Sequence, residues 1–151
     1  MNVELIPMTE AQFAQWSTQV WKSYRSELIR AGLSESAADE NVSNNVAQTM
    51  PDGVLAPNNF TFSAVHENSH VGVVWLANRD GEWFIYDIEV FEQFRGQGFG
   101  RATMKAIESY VRESGGSEIG LSVFGFNSIA QKLYLSEGYE VVRLSMSKKL
   151  I

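Results

Sequence analysis

The chain has 151 residues, of which 44% are hydrophobic and 20% charged, a balance typical of one globular domain spanning 1–151. Its formal net charge of −6 argues against a nucleic-acid partner, because phosphate contacts need a basic surface, and the absence of cysteine excludes disulfides, thiolate metal sites and cysteine nucleophiles. No apolar run approaches the ~20 residues of a membrane span and no signal peptide opens the sequence, so we expect a cytoplasmic protein that does not bind membranes.

The first third of the chain predicts a strand, two helices and a loop. Val3 and Leu5 share one face of a short strand that Pro7 ends. Apolar residues then recur at three- and four-residue spacing in a helix that Thr9 can cap, and again in a second helix that begins at Ser34. Residues 51–59 are polar and carry two prolines and a glycine, which is typical of a loop.

The middle of the chain predicts three consecutive strands, at 60–66, 71–76 and 83–90, joined by tight turns into an antiparallel meander. In the third strand, alternate residues are expected on opposite faces of the sheet. One face would carry Tyr86, Ile88 and Val90, and the other face Asp87, Glu89 and Phe91.

The last third predicts a helix from 98 to 114, a strand at 119–123, a helix from 127 to 138 and a final strand at 139–146. A strand that follows a helical crossover lies parallel to the strand before it. The predicted order is β-α-α-β-β-β-α-β-α-β, an α/β fold with a mixed central sheet and helices on both faces.

A glycine-spaced turn separates the third strand of the meander from the long helix. Gly96, Gly98 and Gly100 leave backbone N–H groups uncovered where a helix start already offers unpaired N–H groups and a positive dipole end. This combination predicts a cradle for a phosphate or pyrophosphate. A dinucleotide fingerprint is excluded because Arg101 and Thr103 stand where its last glycine would be, and no Lys-Ser or Lys-Thr pair makes a P-loop.

Two motifs resemble those of the GNAT N-acetyltransferase superfamily. The first is R-x-x-G-x-G, from Arg95 to Gly100, and the second is N-x-x-A-x-x-L-Y-x-x-x-G-[FY], from Asn127 to Tyr139. The predicted order of elements is also similar to that of the superfamily, so the resemblance covers nearly the whole chain. It implies a GNAT-type fold, acetyl-CoA as donor, and direct acetyl transfer to the primary amine of a small molecule or peptide in a ternary complex.

The resemblance also implies how acetyl-CoA is held. The fourth strand is expected to part from the fifth, so that the pantetheine arm pairs with Ile88 to Val90 and the Val90 N–H faces the thioester carbonyl. A β-bulge is expected there, near Glu89 to Phe91. Asn127 is expected to bind pantetheine or to cap its helix, and Ala130 and Tyr134 complete the cofactor-binding positions. The pyrophosphate positions are Arg95, Gly96, Gln97, Gly98, Phe99, Gly100 and Arg101.

The catalytic candidates are a phenol and two carboxylates. Tyr134 occupies the superfamily's general-acid position and a phenol can protonate a leaving thiolate, although a helix aromatic packed in the core is the alternative. Some members carry a glutamate base on the strand after the long helix, where this chain has Ser122. We therefore expect the base to be Glu89 first and Asp87 second, the alternative being an outward-facing polar pair.

Several points stay open from the sequence. Because Ser122 cannot act as the glutamate base would, a second function stays open: a catalytically weak acyl-CoA-binding sensor or partner-binding module on the same fold. His66 and His70 flank a turn and are more typical of a solvated hairpin than of a metal site, so no metal is expected. An exposed edge strand leaves homodimerisation open. No sequence pattern identifies the acceptor amine.

Overall fold

The computed structural model describes residues 1–151 and has one five-stranded sheet flanked by helices. The elements are β1 (Glu4–Pro7), α1 (Glu10–Arg30), α2 (Glu35–Thr49), β2 (Asn59–His66), β3 (Ser69–Arg79), β4 (Glu82–Val90), α3 (Phe99–Glu113), β5 (Ile119–Leu121) and α4 (Ser128–Ser136), with short 3₁₀ turns at Pro51–Gly53 and Glu92–Phe94. The sheet order is β1-β2-β3-β4-β5; the first four strands are antiparallel and β5 is parallel to β4. The predicted mixed α/β architecture is confirmed.

Side-chain caps fix the starts of the two N-terminal helices. The Thr9 hydroxyl accepts from the N–H of Gln12 at 3.1 Å, and the Gln12 side chain accepts from the N–H of Thr9 at 2.9 Å, which makes a reciprocal capping box. The Ser34 hydroxyl accepts from the N–H of Ala37 at 3.2 Å. None of the helices combines the length and apolar character that crossing a membrane requires.

The central strand β3 carries core residues on both faces. Val74 and Leu76 belong to a buried cluster with Met104 and Ile107 of α3, and Trp75 packs on the opposite face against α1. The helices therefore cover both faces of the sheet, as predicted, because the strands of its centre are apolar on each side.

The register between β3 and β4 shifts by one residue at Tyr86. Trp75 lies opposite Asp87, but the next residue, Leu76, lies opposite Ile85, so Tyr86 has no partner of its own. This is the two-against-one arrangement of a β-bulge. The expectation of a bulge near Glu89 to Phe91 was wrong, since the extra residue comes earlier in the strand.

The bulge changes which side chains share a face. Ile85 and Ile88 both contact the core under α3, whereas the Tyr86 ring lies 4.8 Å from that of Trp75, on the α1 side. Asp87 is also on the α1 side, where it accepts a hydrogen bond from that helix. The prediction that Tyr86 and Ile88 share one face was wrong, because simple alternation does not hold across an extra residue.

β4 and β5 are paired over three residues only. Trp83, Phe84 and Ile85 lie opposite Ile119, Gly120 and Leu121 respectively, and the pairing stops there. β4 continues to Val90 with β3 on one side and no strand on the other. The two strands therefore part immediately before the bulge.

The predicted last strand is absent, and that prediction was wrong. Tyr139 still packs inward, where its hydroxyl donates to a Glu108 carboxylate oxygen at 3.1 Å, but Val142 and Leu144 are 93% and 75% exposed and no residue after Ser136 is in a strand or helix. A strand needs a partner of matching length, and β5 offers only three residues before the chain turns away at Phe124.

Gly72 is expected to be indispensable for the packing of β3 on β4. A Cβ at this position would lie 2.1 Å from the backbone oxygen of Glu89, and a backbone atom cannot swing away as a side chain can. Gly72→Ala should therefore lower the free energy of unfolding by about 2–3 kcal/mol, measured by urea denaturation. Gly125→Ala, where a Cβ meets nothing within 4 Å, is the control and should change it by less than about 0.5 kcal/mol. Equal stability of the two variants would contradict the close approach.

Candidate active site

A cleft of about 520 Å³ lies between the end of α1, the segment after β4 and the start of α4. It is lined by Glu27 and Arg30 of α1, by Arg95 after β4, and by residues 126–129 at the start of α4. This volume falls within the range of sites for small molecules and cofactors.

The glycine turn follows Arg95, which lines the cleft, and its three glycines have different roles. Gly96 and Gly98 have φ values of 74° and 89°, in the left-handed region that favours glycine, and a Cβ at either would meet nothing within 4 Å. At Gly100 the φ is not left-handed, and a Cβ would come within 3.1 Å of the Leu133 side chain of α4. Two glycines thus shape the turn, and the third allows α3 to approach α4.

The first turn of α3 begins with unpaired N–H groups. The first intrahelical bond runs from the N–H of Ala102 to the Gly98 oxygen at 3.1 Å, and Gly98 provides no side-chain cap. The N–H groups of Phe99, Gly100 and Arg101 precede that bond and have no intrahelical acceptor. The chain therefore has the uncovered amides and open approach that a diphosphate requires.

The side chains of the turn are engaged elsewhere. The Arg95 Nε donates to the Val90 oxygen at 2.9 Å, and its guanidinium lies 3.7 Å from a Glu89 carboxylate oxygen. The Arg101 guanidinium pairs with Glu137, whose side chain is 8% exposed, and so joins α3 to the end of α4. The Gln97 side chain donates a hydrogen bond to the Gln93 oxygen, and the Phe99 side chain is buried in the core. Only main-chain groups of residues 96–101 are left to face a ligand.

The unpaired edge of β4 presents main-chain groups of its own. The Phe91 N–H donates to the Val71 oxygen of β3 at 2.9 Å, so the N–H of Val90, its neighbour, points to the opposite edge. By the same alternation the N–H of Ile88 points there too. Because β5 does not pair with this part of β4, the Val90 N–H is available to an extended ligand, whereas the Ile88 N–H hydrogen-bonds the Asp87 carboxyl.

Asp87 is held by a hydrogen bond from a buried tryptophan. The Trp16 Nε1 donates to Asp87 Oδ2 at 3.0 Å, and Trp16 is 8% exposed and packs edge-on against Trp75. Burial raises the pKa of Asp87 to about 6; the Trp16 bond opposes this rise, and the charges of Glu89 and Glu27 add to it.

Glu27 is a site residue that sequence reasoning missed. It lies on α1 and lines the cleft, and burial raises its pKa, with the charge of Glu89 adding to the rise and Arg30 opposing it. A glutamate in an amphipathic helix is typical of a solvated face, and only the packing of α1 against the sheet brings Glu27 toward the β4 carboxylates. No local pattern in the sequence would have identified it.

Tyr134 packs in the core and also lies near Asp87. Its side chain packs against the core cluster under α3, as a structural residue would. Burial raises the pKa of Tyr134 above its usual value near 10, and the charge of Asp87 raises it further, so the two groups lie close enough to interact. The phenol is thus kept protonated at neutral pH beside a carboxylate.

Asn127 caps α4 and also lines the cleft. Its side-chain oxygen accepts from the N–H of Ala130 at 3.1 Å, which satisfies one of the free donors at the helix start. The main-chain N–H of Ala130 is therefore already occupied. The amide nitrogen of Asn127 remains for a ligand in the cleft.

The two histidines lie outside the cleft. The His66 Nδ1 contacts the Asn2 oxygen at 2.6 Å, and the His70 ring packs against Phe91 with centroids 4.9 Å apart. No group of three or more histidine, cysteine or acidic side chains has the arrangement of a metal site.

Comparison with known proteins connects this geometry to a family. The model of the acetyltransferase (GNAT) family matches residues 16–139. Two proteins of Bacillus subtilis (strain 168), both named as uncharacterized N-acetyltransferases, are similar over 156 residues: YycN at 30% identity, covering 99% of this chain and 100% of the relative, and YdgE at 26% identity, covering 99% of each.

Solved structures are similar along the whole chain. The crystal structure of YycN from Bacillus subtilis has a TM-score of 0.91 at 29% identity and covers 99% of both chains. The structure of AAC(6')-Iy in complex with the bisubstrate analogue CoA-S-monomethyl-acetylneamine has a TM-score of 0.59 at 18% identity over 100% of both chains, a likeness that shows the fold alone.

Removing the charge of Asp87 is expected to stabilise the protein near neutral pH. With a pKa of about 6 in the folded state and about 3.9 when unfolded, Asp87 binds more proton in the native state between these values. Its contribution to stability is thus present at low pH and lost as the pH rises through about 6. Asn keeps an acceptor for Trp16 without titrating, so the stability of Asp87→Asn relative to wild type should increase by about 2 kcal/mol from pH 4 to pH 7.5 in urea melts.

The control is Asp80→Asn, which removes a carboxylate from an exposed turn outside the cleft. If the stability of Asp87→Asn relative to wild type did not change with pH, the Asp87 carboxyl would have to be well solvated.

Proposed function

The chain belongs to the GNAT acetyltransferase family, which transfers acetyl groups from acetyl-CoA, and from this we propose that it acetylates a primary amine of a small molecule or peptide by direct attack in a ternary complex. The observation that carries the proposal is the unpaired edge of β4, which leads from Asp87 to the glycine turn. An extended thioester-bearing arm fits such an edge, and a diphosphate fits the turn at its end.

We assign the binding of acetyl-CoA to main-chain groups. The N–H groups of residues 96–101 would hold the pyrophosphate, the edge from Ile88 to Val90 would hold the pantetheine arm, and the amide of Asn127 would bond that arm from α4. Acetyl-CoA supplies the activated acetyl thioester. The Val90 N–H, which points to the open edge, is the donor that would stabilise negative charge on the thioester oxygen.

Asp87 is the proposed proton acceptor. An alkylammonium with a pKa near 10.4 must lose a proton before its nitrogen can attack, and a base works best when its own pKa is near the working pH. Asp87, with a pKa of about 6, is ionised at neutral pH and faces the α1 side of the sheet. Glu89, the first choice from the sequence, lies near Arg95 and is half-exposed, and we keep it as the second candidate.

Tyr134 is the proposed general acid. Its phenol stays protonated because burial and the charge of Asp87 raise its pKa, and it can give that proton to the departing thiolate. Asp87 thus takes a proton from the attacking amine, and Tyr134 gives a proton to the thiolate that leaves.

A second candidate function is a catalytically weak acyl-CoA sensor on this fold. It is favoured by Ser122, an exposed residue after β5 at the position where some family members carry a glutamate. Binding without turnover would be its signature.

Binding of acetyl-CoA should raise the melting temperature. A ligand at 100 times its Kd stabilises the folded state by about 2.7 kcal/mol, so 1 mM acetyl-CoA should give a clear shift in a thermal melt. Gly98→Ala should reduce this shift, because a side chain at φ 89° strains the turn, while Gly125→Ala should not. Release of CoA thiol with a panel of amines separates the enzyme from the sensor. No shift at millimolar acetyl-CoA would contradict both functions.

Replacing Tyr134 by Phe should remove the acid without disturbing the core. We expect kcat to fall by about 100-fold, the lower end of the range for general acid catalysis, with little change in the KM for acetyl-CoA. Steady-state thiol release measures both constants. The matched control is Tyr110→Phe, a tyrosine packed in the same core cluster, which should keep full activity. An unchanged kcat for Tyr134→Phe would leave the ring with a packing role alone.

A further inference from the structure

Arg30 is a cation in the cleft that forms no salt bridge, although its charge acts on Glu27 of the same helix. Its guanidinium carbon lies 4.1 Å from the centroid of the Phe126 ring, and Phe126 is stacked on Phe124 at 5.2 Å with an 8° angle between the rings. Arg30 takes part in none of the ion pairs of the structure. The stacking orients the guanidinium and leaves its edge donors free.

An acidic residue, Glu27, lies one helical turn before Arg30. Glu27 and Arg30 are three residues apart on α1, which places them on the same helix face, and both line the cleft. The charge of Glu89 acts on Glu27, and the charge of Glu27 acts on Asp87 of β4. The cleft thus has an acidic side toward the proposed reaction centre and a basic side at Arg30.

The diphosphate of acetyl-CoA is the other anion that Arg30 could meet. The uncovered amides for that group belong to the start of α3, whereas Arg30 ends α1 and shares a face with Glu27. Arg95, the basic side chain next to the glycine turn, is already bonded to Val90 and lies near Glu89. The placement of Arg30 therefore favours the acceptor.

We propose that the acceptor is an amphoteric amine, one that carries a carboxylate as well as the amine, and that Arg30 binds this carboxylate while Glu27 and Glu89 receive the ammonium. The inference rests on the proposed function. A guanidinium binds a carboxylate through two parallel hydrogen bonds, and the edge of the Arg30 guanidinium is free to make them while its face lies on Phe126. The i, i+3 spacing of Glu27 and Arg30 sets the two charges of the ligand on the order of 5–8 Å apart, as in an ω-amino acid or a dipeptide. A polyamine would bring a further cation toward Arg30 and is disfavoured.

The test uses acceptors that differ only in the carboxylate. We compare 4-aminobutanoate, 5-aminopentanoate and glycylglycine with butylamine, pentylamine and glycylglycine amide, measuring kcat/KM and, separately, calorimetric binding to the protein with CoA bound. Wild type should favour the carboxylates by about 10-fold or more, the effect of a charge-assisted hydrogen bond. Arg30→Met, which keeps an apolar chain over Phe126, should abolish the preference and leave the KM for acetyl-CoA within about 2-fold.

Arg79 offers a matched control, since its guanidinium carbon lies 4.3 Å from the Phe84 centroid and it also has no ion pair, but it is outside the cleft. Arg79→Met should keep the preference. Equal use or equal binding of the two acceptor sets by wild type, or no binding of either, would overturn the inference. It would also be overturned if Arg30→Met raised the KM for acetyl-CoA and left the preference intact.

Calorimetric binding and acetylation kinetics together distinguish a failure of this inference from a failure of the proposed function on which it rests. A carboxylate preference in calorimetry without any acetylation would sustain the acceptor class and reject the transferase function. Acetylation of alkylamines without a preference would sustain the transferase function and reject the acceptor class.

Discussion

The extra residue in β4, Tyr86, is the constraint on which the arrangement of the site depends. Without it, Asp87 would continue the face of Trp83 and Ile85 and enter the apolar core under α3, where an ionised carboxylate without a partner would be costly. The bulge turns Asp87 toward α1 and the indole of Trp16 instead. The pairing with β5 ends at Ile85, the residue before the bulge, so one local irregularity accompanies both the placement of the carboxylate and the open edge.

Burial then sets the electrostatics of the groups that the bulge brings together. Desolvation raises the pKa of Asp87 and also that of Tyr134, and for both groups it favours the uncharged form. In the proposed mechanism the same cause serves two roles: the pKa of the carboxyl comes close to neutrality, where a base is effective, and the phenol stays protonated as the acid. The Trp16 hydrogen bond limits the first effect, since it favours the ionised carboxylate.

Much of the fold and part of the site could be predicted from the sequence, and the failures have a common physical origin. Periodicity, caps and the glycine spacing are local, and they predicted the sheet, the helices and the turn before α3. The bulge at Tyr86 and the position of Glu27 depend on how separate elements pair, which local patterns do not encode. The strand predicted after Gly138 has suitable alternation but no partner of sufficient length.

The distribution of the cleft residues over different elements has an evolutionary consequence. Asp87 and Tyr134 are carried by β4 and α4, whereas Glu27 and Arg30 are on the last turns of α1 and Phe126 is in the loop before α4. Relatives could therefore diverge at the end of α1 and in that loop, and acquire new acceptors, without altering the strand that positions the proposed base. Charge reversal at position 30 would be the smallest such step, and it would change the ligand that is selected while the bulge and its carboxylate stayed unchanged.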